Sequence, residues 1–399
     1  MRILMAHNFY RQPGGEDQVF AAESRVLEEQ GHTVIRMVRD YSQLEQMGRT
    51  AVARASVWNG SVYRELRQTI RNEHIQLAHF HNTFPLISPS AYYAARAEGV
   101  PVIQSLHNYR LLCPGALFYR EGRVCEDCLG RAVPWPGVLH SCYRGSTLQT
   151  GALAGMLGVH RLARTWSGAV DIYIALTEFA RNKFVAGGLP NRKILVKPNF
   201  MNFDPGPGSG DGGFALFVGR LTQDKGIQVL IDAWRQVNPA IPLKLAGEGP
   251  MFHSLCEQVR GISNIDVLGA RSREEVLSLM KAANVLVVPS QWYEGFPMTI
   301  VEAYACGLPV IASDLGSLSS VVSHGVNGIL FRPGAAGALA AGVNRLFANQ
   351  EELRFMRDKA RATFEHSYSP ERGYSALMSV YEAARQQHDI KTQRELVHG

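Results

Sequence analysis

The sequence predicts an α/β protein built from two doubly wound domains, each with helices on both faces of a parallel sheet. Short apolar runs alternate with helical patterns along the chain, as expected for repeated βαβ units. This alternation stops once, in the Gly-, Pro- and Asp-rich stretch 198–213, and then starts again. The length of 399 residues suits two to three domains, so this stretch predicts a linker between two of them.

The composition is typical of a globular protein and narrows the classes of partner. Hydrophobic residues make up 46% of the chain and charged residues 19%. The chain has no apolar run long enough to span a membrane, and its first apolar run is too short for a signal peptide, so we expect a cytoplasmic protein. The net charge is +6, with +8 in residues 1–200 and −2 in residues 201–399. The basic first half suits an anionic acceptor or an anionic membrane surface, whereas the absence of a zinc-finger pattern, an RNA-recognition signature or a Lys/Arg block argues against nucleic acid.

Six apolar runs predict the strands of the first sheet, at 2–6, 33–37, 77–81, 102–106, 170–176 and 194–196. The first two flank a helix predicted at 18–30, which follows Gly14 and Gly15. Glycines there let the backbone approach a phosphate or an acceptor group closely, and a simple turn is the alternative. The third and fourth strands end in His81-Asn82 and His107-Asn108, which places both pairs at the ligand-binding edge of an open sheet.

The stretch 48–72 has arginines interleaved with apolar residues at helical spacing. Such a basic amphipathic helix can lie on a membrane surface. The alternative, which the modest apolar content favours, is an ordinary surface helix whose arginines face solvent.

Four of the six cysteines fall close together, at Cys113, Cys125, Cys128 and Cys142. The middle pair has C-x2-C spacing, and the stretch between them is rich in turns. Four thiolates can close a tetrahedral zinc site, so a structural zinc ion is one interpretation. Buried free cysteines or a redox pair are the alternatives.

After the linker, further apolar runs predict the second parallel sheet, with strands at 214–218, 243–246, 265–268, 285–288, 310–312 and 329–331. Helices are predicted between them and at 335–347, 351–363 and 370–385. The fourth of these strands leads into a polar turn, Tyr293-Glu294-Gly295-Phe296-Pro297, and a helix from Met298 to about Cys306. The free amides of this turn and the helix dipole suit a phosphate. Glu294 and Glu302 are about two helical turns apart and can accept hydrogen bonds from paired hydroxyls.

The segment from Glu294 to Asp314 (EGFPMTIVEAYACGLPVIASD) resembles the signature of the retaining glycosyltransferases of family 4, which have the GT-B fold. Three other motifs fit the same resemblance in order and spacing. The stretch 219–226 (GRLTQDKG) is similar to their G-R-L-x-x-x-K-G donor-phosphate motif, 246–250 (AGEGP) to their A-G-x-G-P turn, and Gly14-Gly15 to their N-terminal glycine loop. The HNYRLLCP and CEDCLG segments resemble a subset of the family that builds bacterial surface polysaccharides.

The resemblance implies a fold and a domain division. We expect a GT-B fold of two Rossmann-like domains facing each other across a cleft. Residues 1–199 would form the acceptor-side domain, with a cysteine-containing insertion at about 113–142. Residues 200–369 would bind the nucleotide sugar, and residues 370–399 would form a helix that returns to the N-terminal domain.

The resemblance also implies roles for particular residues. His107 would lie near the donor sugar, Arg220 and Lys225 would stabilise the charge on the leaving diphosphate, and Glu294 would hold donor-sugar hydroxyls. On their residues alone, Arg220 and Lys225 would instead predict a surface ion pair with Asp224. For donor binding, Glu302 would contact the ribose, the backbone of 295–299 would contact the phosphates, and nearby glycines would also take part. The expected donor-binding residues are Gly15, Gly219, Gly249, Gly295, Phe296, Pro297, Met298, Thr299 and Glu302. The expected acceptor-binding set is Gly14, Asn108, Tyr109 and Arg110.

The implied function is a retaining glycosyltransferase that moves a hexose-type sugar from a nucleoside-diphosphate sugar to a lipid-linked or polysaccharide acceptor. No D-x-D sequence is present, and the cations above suffice to neutralise the diphosphate, so no catalytic cofactor is expected. The inner face of the plasma membrane is the expected peripheral contact. Three alternatives stay open: a sugar-nucleotide epimerase, a phosphorylase, and a non-catalytic subunit that binds a sugar nucleotide.

Overall fold

The computed structural model describes residues 1–9, 14–40 and 42–398 and divides the chain into two compact units. The first unit comprises Met1–Leu117, Glu126–Asn202 and Gly373–Gly399, and the second comprises Phe118–Cys125 and Phe203–Arg372. The sequence-based division falls at 199/200 and at 369/370. The structure thus divides the chain three residues later at each of these points, and it places the short segment 118–125 with the second unit.

Fourteen strands lie in the described residues. They are β1 (Arg2–Asn8), β2 (Thr33–Arg39), β3 (Leu77–Asn82), β4 (Val102–Leu106), β5 (Tyr119–Arg120), β6 (Arg123–Val124), β7 (Ile172–Ala175), β8 (Ile194–Val196), β9 (Ala215–Val218), β10 (Leu243–Ala246), β11 (Ile265–Gly269), β12 (Val285–Val288), β13 (Val310–Ser313) and β14 (Gly328–Phe331).

The helices occupy the connections between strands and the C-terminal segment. They are α1 (Gly15–Glu29), α2 (Ser42–Glu45), α3 (Arg49–Val57), α4 (Gly60–Asn72), α5 (Ser90–Ala97), α6 (Trp135–Leu139), α7 (Thr147–Leu162), α8 (Thr165–Gly168), α9 (Glu178–Ala186), α10 (Ile227–Trp234), α11 (Phe252–Gln258), α12 (Arg273–Ala282), α13 (Met298–Ala305), α14 (Ser317–Val321), α15 (Ala336–Ala348), α16 (Gln350–Ser367) and α17 (Pro370–His398).

Each unit contains a six-stranded parallel sheet, which confirms the predicted fold class. The strand order is β2-β1-β3-β4-β7-β8 in the first unit and β11-β10-β9-β12-β13-β14 in the second. All twelve strands fall on the predicted apolar runs. The inner strands β3, β4, β7, β12 and β13 are buried at every position, which explains why they appear in the sequence as continuous apolar runs, whereas β2 and β11 at the sheet edges are partly exposed.

The predicted linker is a packed segment of the second unit rather than a free tether. Amides of Gly208 and Gly210 donate to the carbonyls of Cys306 and Lys281 at 2.9 Å. A Cβ on Gly208 would lie 2.2 Å from the Lys281 carbonyl oxygen, so glycine is needed for this approach. The glycines of this stretch therefore allow close packing instead of flexibility.

The basic stretch 48–72 forms two helices instead of one. Trp58 is the C-cap of the first helix, and Asn59 caps the second, since its side chain accepts a hydrogen bond from the Val62 amide at 3.3 Å. On α4 the apolar residues Val62, Leu66 and Ile70 are buried. Arg67 and Arg71 form ion pairs with Glu98, so α4 is an ordinary surface helix.

Candidate functional site

The motifs of the second unit meet at one edge of its sheet. Strand β9 pairs with β10 on one side and with β12 on the other, so the chain reverses its direction of winding between β9 and β12. In open α/β sheets, ligands bind at such a reversal, outside the carboxyl ends of the strands. The loop 219–226 follows β9 and the loop 289–297 follows β12, which brings the two motifs together here.

At this edge of the sheet, three hydrogen-bond donors hold Glu294 in place through one of its carboxylate oxygens. Its Oε1 accepts from Lys225 Nζ at 2.7 Å, from Ser290 Oγ at 2.7 Å and from Trp292 Nε1 at 3.1 Å. The residue is only 6% exposed. Within the described residues Oε2 has no hydrogen-bond partner, so one oxygen fixes the side chain while the other remains able to accept from a ligand hydroxyl.

Two cations lie in the loop that follows β9. Lys225 uses one of its three N–H donors on Glu294, and its ammonium lies 5.4 Å from the centre of the Trp292 ring. Arg220 is exposed, and its guanidinium makes no ion pair with any described residue. Neither residue pairs with Asp224, so the surface ion pair is not formed. Both cations can therefore approach an anionic ligand.

Glycines allow the loops of the second unit to touch backbone to backbone. Gly226 has φ +74°, and a Cβ there would lie 1.9 Å from the Pro289 carbonyl oxygen. A Cβ on Gly249 would lie 2.5 Å from the Leu221 carbonyl oxygen. Hydrogen bonds between Gln291 N and Asp224 O, and between Leu221 N and Glu248 O, connect the loops further. The GRLTQDKG and AGEGP motifs are thus a rigid support for Arg220 and Lys225.

The start of α13 offers backbone donors beside Glu294. Among the described residues, the amides of Gly295, Phe296 and Thr299 have no backbone acceptor. These donors and the positive end of the helix dipole favour an anion. Glu302 lies further along α13, with Arg273 Nη2 at 4.0 Å from its Oε1. Burial raises the pKa of Glu302 above its ordinary value.

A short hairpin, β5–β6, packs beside these loops. The Phe118 ring lies 6.2 Å from the Tyr293 ring, next to Glu294 in the chain. A Cβ on Gly122 would lie 3.5 Å from Gln223 Nε2. The hairpin comes from the cysteine-containing insertion, yet it belongs to the second unit. Two-residue strands have no recognisable period, so this contact cannot be predicted from the sequence.

In the first unit, polar side chains gather where β1, β3 and β4 end. Asn8 and Asn82 exchange side-chain hydrogen bonds with each other's carbonyl oxygen at 3.0 and 2.9 Å. Glu16, in the first turn of α1, accepts from Asn82 and from Asn108, each at 3.3 Å. Gly14 is the N-cap of α1, and its amide donates to Asp17. The Glu16 carboxylate lies at the N-terminal end of α1, where the helix dipole would otherwise favour an anionic ligand. Its negative charge therefore favours a hydroxyl-bearing ligand over a phosphate beside Gly14.

His107 lies beside a group of buried polar side chains. Its Nε2 lies 3.0 Å from His81 Nδ1, so one of these two nitrogens donates a hydrogen bond to the other. His81 Nε2 lies 3.4 Å from Glu23 Oε2, and neither atom makes a hydrogen bond in the described residues. Glu23 forms a fully buried ion pair with Lys197 through its other oxygen. His107 Nδ1 has no hydrogen-bond partner in the described part of the chain.

The environment keeps these histidines neutral. Loss of hydration, followed by repulsion from His7 and Lys197, lowers the pKa of His107 to about 3. Burial holds the pKa of His79 and of His81 well below the ordinary value. His107 therefore contributes a hydrogen bond, not a positive charge, at neutral pH.

Glu23, His79 and His81 offer potential ligand atoms that all lie within 4.8 Å of one another. Other protein groups engage part of this cluster. Lys197 holds one oxygen of Glu23, and the two ring nitrogens of His79 bond to Tyr381 and Ser105 at 3.0 and 2.8 Å. Glu23 Oε2 and His81 Nε2 are buried without a hydrogen-bond partner in the described residues.

The remaining acceptor-side residues surround a small cavity of about 60 Å³. His107, Asn108 and Arg110 line it together with apolar side chains of α7. The Arg110 guanidinium lies between the Phe84 and Tyr143 rings, at 4.9 and 5.4 Å from their centres. Tyr109 is 1% exposed and packs against Phe184, so its expected contact with an acceptor stays a prediction that its burial does not favour.

Three of the four clustered cysteines lie around two glycines of the first unit. Cys113 Sγ and Cys142 Cβ are 3.8 and 3.7 Å from the position of a Cβ on Gly115. Cys128 Sγ is 3.4 Å from that of a Cβ on Gly137, whose carbonyl accepts from the Cys142 amide. Cys125 belongs to the hairpin segment of the second unit. Zinc at this cluster stays a prediction.

Several partners of the site residues could not be found from sequence. No sequence motif marks five of these partners, which are Ser290, Trp292, Glu16, Glu23 and Lys197. Lys197 and Glu23, for example, are 174 residues apart. Only the first two stand close enough to Glu294 in the sequence for a local search to suggest them.

The comparisons with known proteins agree with this geometry. The family model described as Glycosyltransferase Family 4 matches residues 13–204, and the one described as Glycosyl transferases group 1 matches residues 203–363. An uncharacterized glycosyltransferase of Methanocaldococcus jannaschii is 34% identical over 53% of this chain and 59% of that protein. The amylovoran biosynthesis glycosyltransferase AmsK of Erwinia amylovora is 27% identical over 53% of this chain and 56% of that protein. The chain thus spans somewhat more than half the length of these curated relatives.

A solved structure covers the whole fold. HepE of Anabaena in complex with UDP matches with a TM-score of 0.70 at 19% identity, over 96% of this chain and 100% of that one. A second structure of HepE contains UDP-glucose. The protein therefore has the GT-B fold. The two family models together account for most of the chain, and the protein belongs to the family 4 glycosyltransferases.

Proposed function

We propose that the protein is a retaining glycosyltransferase that moves a hexose-type sugar from a nucleoside-diphosphate sugar to a lipid-linked or polysaccharide acceptor, in cell-surface polysaccharide biosynthesis. The observation that carries the proposal is the arrangement at the β9/β12 edge. There a fixed carboxylate with one unoccupied oxygen, two cations and the amides at the start of α13 lie together. This set complements both a sugar and a diphosphate. HepE, which shares the fold, was solved with UDP and with UDP-glucose, and AmsK takes part in amylovoran biosynthesis, which supports the same class of reaction.

In the proposed reaction, the bond between the anomeric carbon and the diphosphate oxygen breaks as the acceptor oxygen bonds to the same face of that carbon. The acceptor proton passes to the leaving phosphate. Arg220, Lys225 and the amides of 295–299 stabilise the charge that develops on the diphosphate. Glu294 Oε2 accepts from donor-sugar hydroxyls, Glu302 accepts from the ribose, and His107 Nδ1 accepts from a further hydroxyl. Because these groups neutralise the diphosphate, activity is expected to survive a chelator.

The test measures release of nucleoside diphosphate from a panel of nucleotide sugars, with saccharide and lipid-linked acceptors. Glu294→Gln keeps the size of the side chain and removes its charge, so we expect about a 10²–10³-fold loss of kcat. Glu274→Gln, an exposed carboxylate on α12, is the matched control and should retain full activity. Wild-type turnover in Glu294→Gln would refute the site assignment.

Product analysis separates this function from its alternatives. Retention predicts that the new linkage has the anomeric configuration of the donor sugar, which NMR of the product shows. Turnover of donor without acceptor would indicate an epimerase, and a requirement for inorganic phosphate would indicate a phosphorylase. Nucleotide-sugar binding without turnover on any acceptor would indicate a non-catalytic subunit.

A further inference from the structure

The helix α7 of the first unit exposes an apolar face. Its outward positions are Leu148, Ala152, Gly155, Val159 and Leu162, which recur at the spacing of one helical face. Leu148 is 76% exposed, Val159 51% and Leu162 82%. Isolated exposed apolar residues are common on proteins, but a whole apolar helix face indicates a surface that is covered in use.

Neighbouring elements extend this face. Val138 of α6 packs near Gly151 of α7, and Val133 packs near Gly158. These contacts place the exposed Trp135 and Leu139, which are 51% and 70% exposed, in the segment that packs beside α7. We call the surface formed by residues 133–139 and the outward positions of α7 the α6–α7 face.

The segment that carries this face has charges of one sign. Between Asp127 and Asp171 the chain contains four arginines, at 131, 144, 161 and 164, and no acidic residue over 43 positions. Arg161 bonds to the carbonyl oxygens of Arg131 and Gly187, and Arg131 bonds to that of Asp127. Neither residue, nor Arg164, forms an ion pair with a carboxylate in the described part of the chain.

Apolar side chains and Trp bordered by unneutralised arginines are the composition of a surface that lies in the headgroup region of a membrane. The Arg131 guanidinium lies 5.0 Å from the centre of the Trp135 ring, so a cation and an aromatic ring are in contact on this face. Within the described residues, none of the helices combines the length and the apolar composition that a bilayer crossing requires. The exposed apolar side chains, the Trp and the arginines together suit a surface that lies on a bilayer.

We propose that the α6–α7 face docks the protein onto an anionic phospholipid bilayer. The inference deepens the proposed function, because a lipid-linked acceptor would then be met at the surface that the enzyme binds. Apolar burial supplies part of the affinity, and attraction between the arginines and lipid phosphates supplies the rest.

The test is co-sedimentation of the full chain with vesicles of phosphatidylcholine alone and of phosphatidylcholine with one third phosphatidylglycerol. We expect binding to the anionic vesicles, weakened by salt, and none to the neutral ones. The variant Leu148→Ser/Leu162→Ser should bind about 10-fold or more weakly, since two exposed leucines lose their burial in lipid. Arg131→Gln/Arg164→Gln should weaken binding while reducing its salt dependence.

The matched control is Phe355→Ser, which removes an exposed apolar residue of α16, 47% exposed in the second unit, and should bind like the wild type. Equal binding of all variants, or equal binding to both kinds of vesicle, would overturn the proposal. A concentration-dependent dimer that the leucine variant dissociates, without vesicle binding, would assign the face to protein association instead. The leucine variant should retain the release of nucleoside diphosphate with a water-soluble acceptor, so failure of docking and failure of the transferase are distinguishable.

Discussion

At the scale of single residues, Glu23 and Lys197 show how the fold supports His107. Both side chains are 1% exposed, and each is the other's charged partner. A charge left alone in such surroundings loses its hydration without compensation. The pair therefore stabilises the folded state mainly by avoiding an isolated buried charge close to His81.

Removing one partner should therefore cost far more than removing both. We expect Glu23→Gln to lower the free energy of unfolding by about 3–5 kcal/mol, and Glu23→Leu/Lys197→Met to recover most of that loss. Urea denaturation measures both. The exposed pair Arg25–Glu29 on the same helix is the control, where Glu29→Gln should cost at most about 1 kcal/mol. Additive losses in the double variant would contradict this account.

Gly226 is the second residue whose replacement has a defined physical consequence. Both Gly226 and Gly261 have positive φ, at +74° and +90°, but only Gly226 lies against another backbone group. Gly261→Ala should cost about 1 kcal/mol from backbone strain alone. Gly226→Ala should cost more than about 2 kcal/mol, because the new Cβ must also displace Pro289.

The same pair of variants tests the donor site. A displacement of the 219–226 loop moves Lys225 away from Glu294, so Gly226→Ala should also weaken nucleotide binding in a calorimetric titration. Gly261→Ala should leave that binding unchanged. Equal effects of the two alanines on stability and on nucleotide affinity would show that the close contact with Pro289 is unimportant.

At the scale of elements, buried strands were the most predictable part of the fold. A strand covered on both faces favours apolar side chains at nearly every position, so the inner strands appear as short apolar runs. Helix boundaries within 48–72 were less predictable, since Asn59 acts as a cap only once the chain turns there. The hairpin β5–β6 was missed because each of its strands has two residues.

The cysteine segment is the element for which the sequence leaves a structural zinc ion, free cysteines and a redox pair open. Cys113, Cys128 and Cys142 gather around Gly115 and Gly137 in a region with little regular structure, where a metal would add stability that packing does not supply. We expect the purified protein to contain one zinc ion per chain by mass spectrometry of the metal. Cys128→Ser should lose it, and a chelator should lower the melting temperature.

The matched control for the zinc prediction is Cys256→Ser, an exposed cysteine of α11 outside the segment. This variant should keep its metal and its melting temperature. Metal-free protein that melts at the same temperature with and without chelator would instead support free thiols.

Part of the candidate site was predictable because its residues belong to one continuous motif. Glu294, Glu302 and the amides of 295–299 lie within nine residues, so a strand, a turn and a helix suffice to place them. The ion pair of Glu294 with Lys225 joins residues 69 apart in the chain. That contact depends on β9 and β12 being neighbours, which is a property of the sheet order and not of any local pattern.

At the scale of the whole molecule, acid should destabilise the protein at a higher pH than carboxylate titration alone would. His79 and His81 are buried and their pKa values lie well below 6.5, whereas in the unfolded chain they return to about that value. The unfolded chain therefore binds protons below pH 6.5 while the folded one does not. Stability is full above that pH and falls below it, by up to about 1.4 kcal/mol per pH unit and histidine.

Urea denaturation at pH 7 and pH 5.5 measures this loss, which should total about 1–3 kcal/mol for the two residues. His81→Gln should reduce the pH dependence, whereas His140→Gln, on the exposed surface, should not change it. His388 acts in the opposite direction, since its hydrogen bond to Asp171 raises its pKa, and its contribution is lost as pH rises through that value. His107, whose pKa burial also lowers, adds to the loss at pH 5.5. A stability independent of pH between 7 and 5.5 would contradict the neutral, buried state of these histidines.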